Sequence, residues 1–330
     1  MQMVLNTAGL MLKVQAGSFK VFQGKEHRLV SPKRITSIAI TEDCLLSSAA
    51  IELAVEFGIP IYFFDRIGDA TACLRSPYFE SIATLRRQQV YFDDSLEAVR
   101  WLLGLFHEKT ISQIKPLKYL SNRRTGNKEQ LIQKASNLEK QLIALAAIKT
   151  DQGFSQTSKD LMSWEAGQSY QYWRAVSAAL PSDWQFPKRS RRPAQDAFNA
   201  GINYLYGMLY TVVEQAIFAA GLDPHLGILH TDQYDAPTLA FDLIEPWRPL
   251  VDQLLVEQIL AKYISVTAFD QRRDGWYLNR SGKGIIIPAF NAWLKEKIRY
   301  NGKQRIRQLH IYQSAADLAK LIRQCQIPKL

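Results

Sequence analysis

The chain holds 330 residues, with 41 Lys and Arg against 31 Asp and Glu for a formal net charge of +10. That length exceeds one ordinary domain, and 47% hydrophobic with 22% charged residues is globular composition, which excludes extensive disorder. The basic excess suits a polyanion, nucleic acid first, although charge alone fits a merely soluble basic protein equally well.

The first ninety or so residues read as strands. Leu10–Gln15 and Ser18–Gln23 alternate in part and flank Ala16-Gly17, which predicts a tight hairpin. Arg28–Ser31 and Ile35–Ile40 continue the pattern, with Pro32 as punctuation. Apolar residues then recur at helical spacing within Leu46–Glu56, and Gly58 is a natural stop. Ile59–Phe64 reads as a buried strand, Asp65–Asp69 as an acidic turn and Ala70–Leu74 as a short strand. After about Ser76 the periodicity becomes helical: Leu96–Ser112, Glu129–Ile148, Lys159–Ala179, Ala194–Ala220, Leu250–Val266 and Pro288–Arg299. Leu131, Leu138, Leu142 and Leu145, set among Lys and Glu, mark an amphipathic stripe. The expected fold class is α+β multidomain: a small, mostly antiparallel β domain over residues 1–85, then a larger all-α catalytic domain over 86–330.

Cys44, Cys73 and Cys325 lie far apart and form no C-x-x-C pair. They offer neither a disulfide framework nor a thiolate zinc site, and they fit a reducing, cytoplasmic setting. No secretory pattern opens the chain, and no apolar run nears the ~20 residues that span a bilayer, so no membrane role is expected.

The segment from Gly227 to Pro249 interrupts the helices with turn residues and acids. His230 follows Ile228-Leu229, and a hairpin-like return would set Asp242 and Glu245 opposite it. The two acids, three apart, share a face if a helix has begun there. One imidazole with carboxylates suits Mg²⁺ or Mn²⁺ better than zinc. Plainer roles exist: a hydrogen-bonded core histidine, and a pair of acids favoured by a helix N-terminus. Glu165, in Trp164-Glu165-Ala166-Gly167 near Tyr170, Tyr172 and Trp173, is the candidate third ligand. A carboxylate among bulky apolar groups requires a cation, whereas a solvent-facing Glu requires nothing.

Basic residues supply the other half. Lys188, Arg189, Arg191 and Arg192 form a dense loop between two helices, and Arg248 follows Glu245 at i+3. Lys295, Lys297, Arg299, Lys303, Arg305 and Arg307 crowd the C-terminal third, interleaved with Trp276, Tyr277, Trp293 and Tyr300. Such groups neutralise phosphates and stack on unpaired bases, although each taken singly is as well explained by a solvated face or by the core.

Three separated blocks, in order, carry a resemblance. The first is Leu45 to Leu74, with Phe63, Asp65 and Gly68 in a Phe-x-Asp-x-x-Gly element; the second is Glu165-Ala166-Gly167. The third runs from Asn199 and Asn203 through Ala219–Pro224 and Leu226–His230 to Asp242–Pro249. In these blocks the chain resembles the CRISPR-associated integrase family, the first of the Cas proteins.

The resemblance implies that Glu165, His230 and Glu245 are the metal-binding and catalytic residues, for Mg²⁺ or Mn²⁺. It makes Asp242 an accessory acid and Arg248 a basic position close to the metal, with DNA contacts expected from Lys188, Arg189, Arg191, Arg192 and Arg248. It implies attack by a DNA 3′-hydroxyl on a target phosphodiester, which inserts fragments as spacers into a CRISPR array. The implied partners are double-stranded DNA (spacer precursor and repeat), a second copy of the chain through the β domain, and a small companion protein ("Cas two") completing a heterohexamer. The turn Gln233–Pro237 departs from the family's basic, Gly-containing version, with Tyr234 and Asp235 instead. Two other readings compete: a transposon-borne integrase, which the missing helix-turn-helix pattern disfavours, and a non-catalytic DNA-binding scaffold, which a lost ligand would have favoured.

Overall fold

The computed structural model describes residues 2–24, 26–65, 70–75, 83–92, 95–123, 125–148, 153–191, 193–230 and 236–325. The N-terminal part comprises β1 (Gln2–Leu5), β2 (Leu10–Gln15), β3 (Ser18–Gln23), β4 (Glu26–Val30), β5 (Ser37–Ile40), β6 (Cys44–Leu46), α1 (Ser48–Glu56), β7 (Ile61–Phe64) and β8 (Ala70–Leu74). Ala16 and Gly17 both adopt positive φ, which makes the expected tight turn between β2 and β3. Helix α1 starts at Ser48 because the Ser47 hydroxyl accepts the Ala50 amide at 3.2 Å. Leu46 therefore belongs to a strand.

Two four-stranded sheets result, ordered β1-β5-β7-β8 and β4-β3-β2-β6. Strands β1, β5 and β7 run parallel, as do β2 and β6, while β2–β3, β3–β4 and β7–β8 are antiparallel. The expectation of a mostly antiparallel unit is thus corrected to an evenly mixed one. Strands β1 and β6 have only four and three residues, too few to show a period of two. Helix α1 supplies the crossover that parallel pairing of β5 with β7 requires.

The remainder comprises α2 (Ala83–Phe92), α3 (Leu96–Ser121), α4 (Lys128–Ala146), α5 (Phe154–Ala179), α6 (Ala197–Ala219), α7 (Thr238–Leu243), α8 (Arg248–Leu260), β9 (Phe269–Arg272), β10 (Gly275–Leu278), α9 (Arg280–Lys295), β11 (Lys297–Tyr300), β12 (Lys303–Ile306) and α10 (Arg307–Gln324). It is not all-α, because β9–β10 and β11–β12 form antiparallel hairpins. Helix α3 passes through Pro116 to Ser121, since Ile114, Leu117 and Leu120 continue its buried stripe and one lost N–H does not outweigh that. Helix α9 starts eight residues before Pro288, where the Asn279 side chain accepts the Gly282 amide at 3.1 Å.

Buried apolar side chains fall into two clusters. One runs from Met3 to Ile61 and includes Leu12, Phe19, Ile38 and Ile61. The other runs from Leu85 to Ile322 and is organised around α3 and the largely buried α6. The two parts are stitched together: Gln2 donates to Thr211 at 3.2 Å, and Lys283 pairs with Glu42 at 3.0 Å. Among the described residues no helix is long and apolar enough to cross a membrane.

Candidate active site

The floor of the site is made by α3, α5 and the turn between α7 and α8. Glu165 projects from α5 and Glu245 from the turn, and both meet Lys109 of α3. Lys109 Nζ lies 2.5 Å from Glu165 Oε1 and 2.6 Å from Glu245 Oε2. The Ser169 hydroxyl, one turn along α5, donates to Glu165 Oε1 at 2.5 Å. On the other flank Arg248 donates to Glu245 Oε1 and to the Tyr210 hydroxyl. The Glu245 side chain is 4% exposed and that of Lys109 9%, so these charges act with little screening by water.

The balance of charge follows. Burial alone would raise the Glu245 carboxyl, but Arg248 and then Lys109 outweigh it and hold the group at about 2. Burial would likewise weaken the Lys109 ammonium, and Glu245 with Glu165 reverses that, so its proton is held more tightly than usual. Glu165 is therefore no solvent-facing helix residue.

His230 stands beside this floor on a separate support. The Asp242 carboxylate, wholly buried, accepts the backbone amides of Ile228 (2.7 Å), Leu229 (3.0 Å) and His230 (3.2 Å), and its Oδ1 lies 2.6 Å from His230 Nδ1. Asp242 is thereby committed as a clasp on the segment 228–230. With Nδ1 as the donor to Asp242, Nε2 keeps its lone pair for coordination, as in a carboxylate–histidine support for a metal ligand. Asp242 and Glu245 do not share a helix face: α7 ends at Leu243, and the two carboxylates part to different partners. Gly227 makes the clasp feasible, since a Cβ there would fall 2.1 Å from the His230 carbonyl oxygen.

The structure thus gathers Glu165 and Glu245 on one cation and places His230 on Asp242. Among the described residues no group of three or more His, Cys, Asp and Glu is drawn together as a metal cluster. The donor chemistry nonetheless fits Mg²⁺ or Mn²⁺. Two hard carboxylates select a cation between them, and Glu245 Oε2 is buried with no hydrogen bond, only the Lys109 ion pair.

A cavity of about 320 Å³ opens above the floor, with Lys109, Glu165, Lys188, Arg191, Glu245 and Arg248 in its walls. Lys188 and Arg191 are exposed at its rim, and Arg192 lies outside the described residues, as do Gln233, Tyr234 and Asp235. Arg189, expected at the DNA, instead turns inward. It donates to Asn199 and Asn203 and stacks over Trp173 (5.0 Å) and Tyr206 (5.8 Å). Those asparagines hold the basic loop as well: Asn199 donates to the Lys188 carbonyl at 3.0 Å, and Asn203 to the carbonyls of Ser190 (3.1 Å) and Arg191 (2.8 Å). The aromatics proposed for stacking are mostly packed inside, Trp293 and Tyr277 buried and Tyr300 half-buried.

Two groups escaped the sequence analysis. Lys109 occupies the buried stripe of α3 with Leu102, Phe106, Gln113 and Leu117, and an ionisable residue on an apolar face was the available signal. Asp252 is 1% exposed at the base of the cavity and accepts the hydroxyls of Tyr206 (2.6 Å) and Tyr172 (2.9 Å). Burial pushes its carboxyl up to about 7 in spite of those donors and Arg189.

Fold and site together define a class, a two-part α+β protein with an acidic floor beneath a basic rim. The family profile described as CRISPR associated protein Cas1 matches residues 3–292, and the chain belongs to that family. It is 25% identical over 335 aligned residues to CRISPR-associated endonuclease Cas1 1 of Archaeoglobus fulgidus, covering 98% of this chain and 96% of the relative. A CAS1 protein from Thermotoga maritima superposes with a TM-score of 0.82 at 20% identity, over 99% of this chain and 98% of that one. A casposase bound to its integration product gives 0.81 at 22% identity, over 99% and 92%. These two likenesses show a shared fold.

Proposed function

We propose that the chain is a divalent-metal-dependent DNA integrase that inserts DNA fragments as spacers into a CRISPR array. The observation that carries this is the convergence of Glu165 and Glu245 on one buried cation beneath a basic rim, beside an imidazole fixed by Asp242. Glu165, Glu245 and His230 Nε2 would hold Mg²⁺ or Mn²⁺. The bound ion would supply polarisation of a DNA phosphate and a lowered pKa for the attacking hydroxyl.

The chain's own groups do the rest. Lys188 and Arg191 neutralise phosphates at the rim, and the asparagine clamp fixes where they stand. Arg248, held by Glu245 and Tyr210, and Lys109 keep positive charge beside the reacting phosphate. The 3′-hydroxyl oxygen of the incoming DNA bonds to phosphorus as the bond to the target strand's 3′-oxygen breaks. One phosphodiester replaces another, a new 3′-hydroxyl is released, and the attacking hydroxyl's proton ends on solvent or the leaving oxygen. No covalent protein intermediate is required. Family membership supports double-stranded DNA, a second copy of the chain and a small companion protein as partners.

Strand transfer tests this. Purified protein, a short duplex with free 3′-hydroxyls and supercoiled plasmid are combined with Mn²⁺ or with EDTA. Joining that needs Mn²⁺ and is lost in His230→Ala is expected. Joining that survives EDTA, or that His230→Ala leaves intact, would refute the assignment.

A further inference from the structure

We infer that the β11–β12 hairpin is a second DNA-contact element, a basic ribbon that takes the phosphate backbone of the duplex on which the site acts. This rests on the integrase reading and extends it to a surface outside the cavity. The ribbon also lies beyond residues 3–292, the segment that assigns the family.

Between Lys295 and Arg307 the chain places six cations and one acid. The acid, Glu296, is taken by Arg307 at 2.9 Å. Lys297, Arg299 and Lys303 are exposed, and among the described residues none of them forms an ion pair. Asn301 and Gly302 both adopt positive φ, 48° and 75°, a two-residue turn whose twist matches that of the flanking strands. The register sets Ile298 and Tyr300 on one face of β11 and Lys297 and Arg299 on the other, while Lys303, opposite Tyr300, stands exposed at the end of the ribbon beside the turn.

The inward face is fastened to the active-site elements. The Tyr300 ring lies 4.9 Å from Trp247, two residues beyond Glu245, and its hydroxyl donates to Glu108, the neighbour of Lys109. His310 Nε2 meets the Ile298 carbonyl at 3.1 Å. The outward face of β11 thus carries charge without an internal partner, on a root that shares its supports with the floor. With Tyr300 packed inward, β11 and β12 present no exposed large apolar side chain for insertion into lipid or for base stacking. Point charges on a narrow two-stranded ribbon suit a duplex backbone, read without regard to sequence.

The test compares the whole protein with Lys297→Gln/Arg299→Gln/Lys303→Gln and with the charge-keeping Lys297→Arg/Arg299→Lys/Lys303→Arg. Affinity for a blunt duplex oligonucleotide is measured against salt concentration, and thermal melting checks that all three fold. Each phosphate contact contributes roughly −0.9 to the slope of log K against log salt, so the Gln variant should lose about 2 to 3 of that slope. The charge-keeping variant should retain it. A Gln variant with the wild-type slope, or a charge-keeping variant that loses as much, overturns the ribbon. Wild type that fails to bind duplex at all would instead bring down the integrase reading.

Discussion

The floor of the site and the β11–β12 ribbon use the same residue types to opposite ends. On the floor Lys109, Glu165, Glu245 and Arg248 are all paired and mostly buried, so each charge fixes the position of another. On the ribbon Lys297, Arg299 and Lys303 are exposed, and among the described residues they have no acidic partners. Buried charges depend on geometry and are costly to orphan, whereas exposed ones contribute little to folding and act at a distance. One protein thus separates the charges that shape it from those left free of its fold.

The comparison breaks most sharply at Lys109. Replacing it in Lys109→Met removes the cation that two carboxylates share, leaving Glu165 the Ser169 hydroxyl and buried Glu245 only Arg248, and should cost about 3 to 5 kcal/mol by chemical denaturation in EDTA. Mn²⁺ should raise the melting temperature of that variant more than that of wild type, because the ion takes over the cation's place. An equal response in both would count against a metal at Glu165 and Glu245.

Asp252 sharpens the contrast through pH. Its carboxyl moves from 3.8 in the unfolded chain to about 7 in the fold, so between those values the folded state holds a proton that the unfolded state has released. Stability from this group is complete below pH 4 and falls as pH rises through 7, by up to about 4 kcal/mol. Asp252→Asn should flatten that fall, seen as converging urea midpoints at pH 5 and pH 8. Parallel pH profiles for variant and wild type would contradict it.

A smaller loss, about 1 to 3 kcal/mol, is expected of Gly227→Ala, whose methyl must displace the His230 carbonyl or Thr238. Joining activity should fall with it, and unchanged joining would detach His230 from the reaction. Smallest is Lys297→Ala on the ribbon, which should leave stability within about 0.5 kcal/mol of wild type. A larger drop in its denaturation midpoint would mean the ribbon cations are structural after all.

What was legible in the sequence follows the same physics. The hairpin of β2 and β3 announced itself because six-residue strands alternate and a turn pair divides them. Strands of three or four residues, β1 and β6, have no room for a pattern, and their parallel partners lie far along the chain. Pro288 misled, since a proline inside a well-packed helix looks locally like a boundary, and α3 likewise runs past its expected end at Ser112 and through Pro116. Glu165, His230 and Glu245 could be named by residue type and by resemblance, but what stands between the two glutamates could not. Lys109 falls on the apolar stripe of α3, which marks it as unusual, but a lysine there can still snorkel to solvent, and only the tertiary contact shows that it meets two carboxylates instead. Arg189 likewise shares its loop with exposed Lys188 and Arg191 and is singled out only by Asn199 and Asn203.

Those two asparagines carry a thermodynamic consequence. A free loop of long cationic side chains surrenders backbone and rotamer entropy on meeting a ligand, and that loss is subtracted from the affinity. Here side-chain amides already tie the backbone of Lys188, Ser190 and Arg191 to the buried helix α6. The backbone share of that ordering was met during folding, so only the rotamer freedom of Lys188 and Arg191 remains to be lost when a ligand arrives.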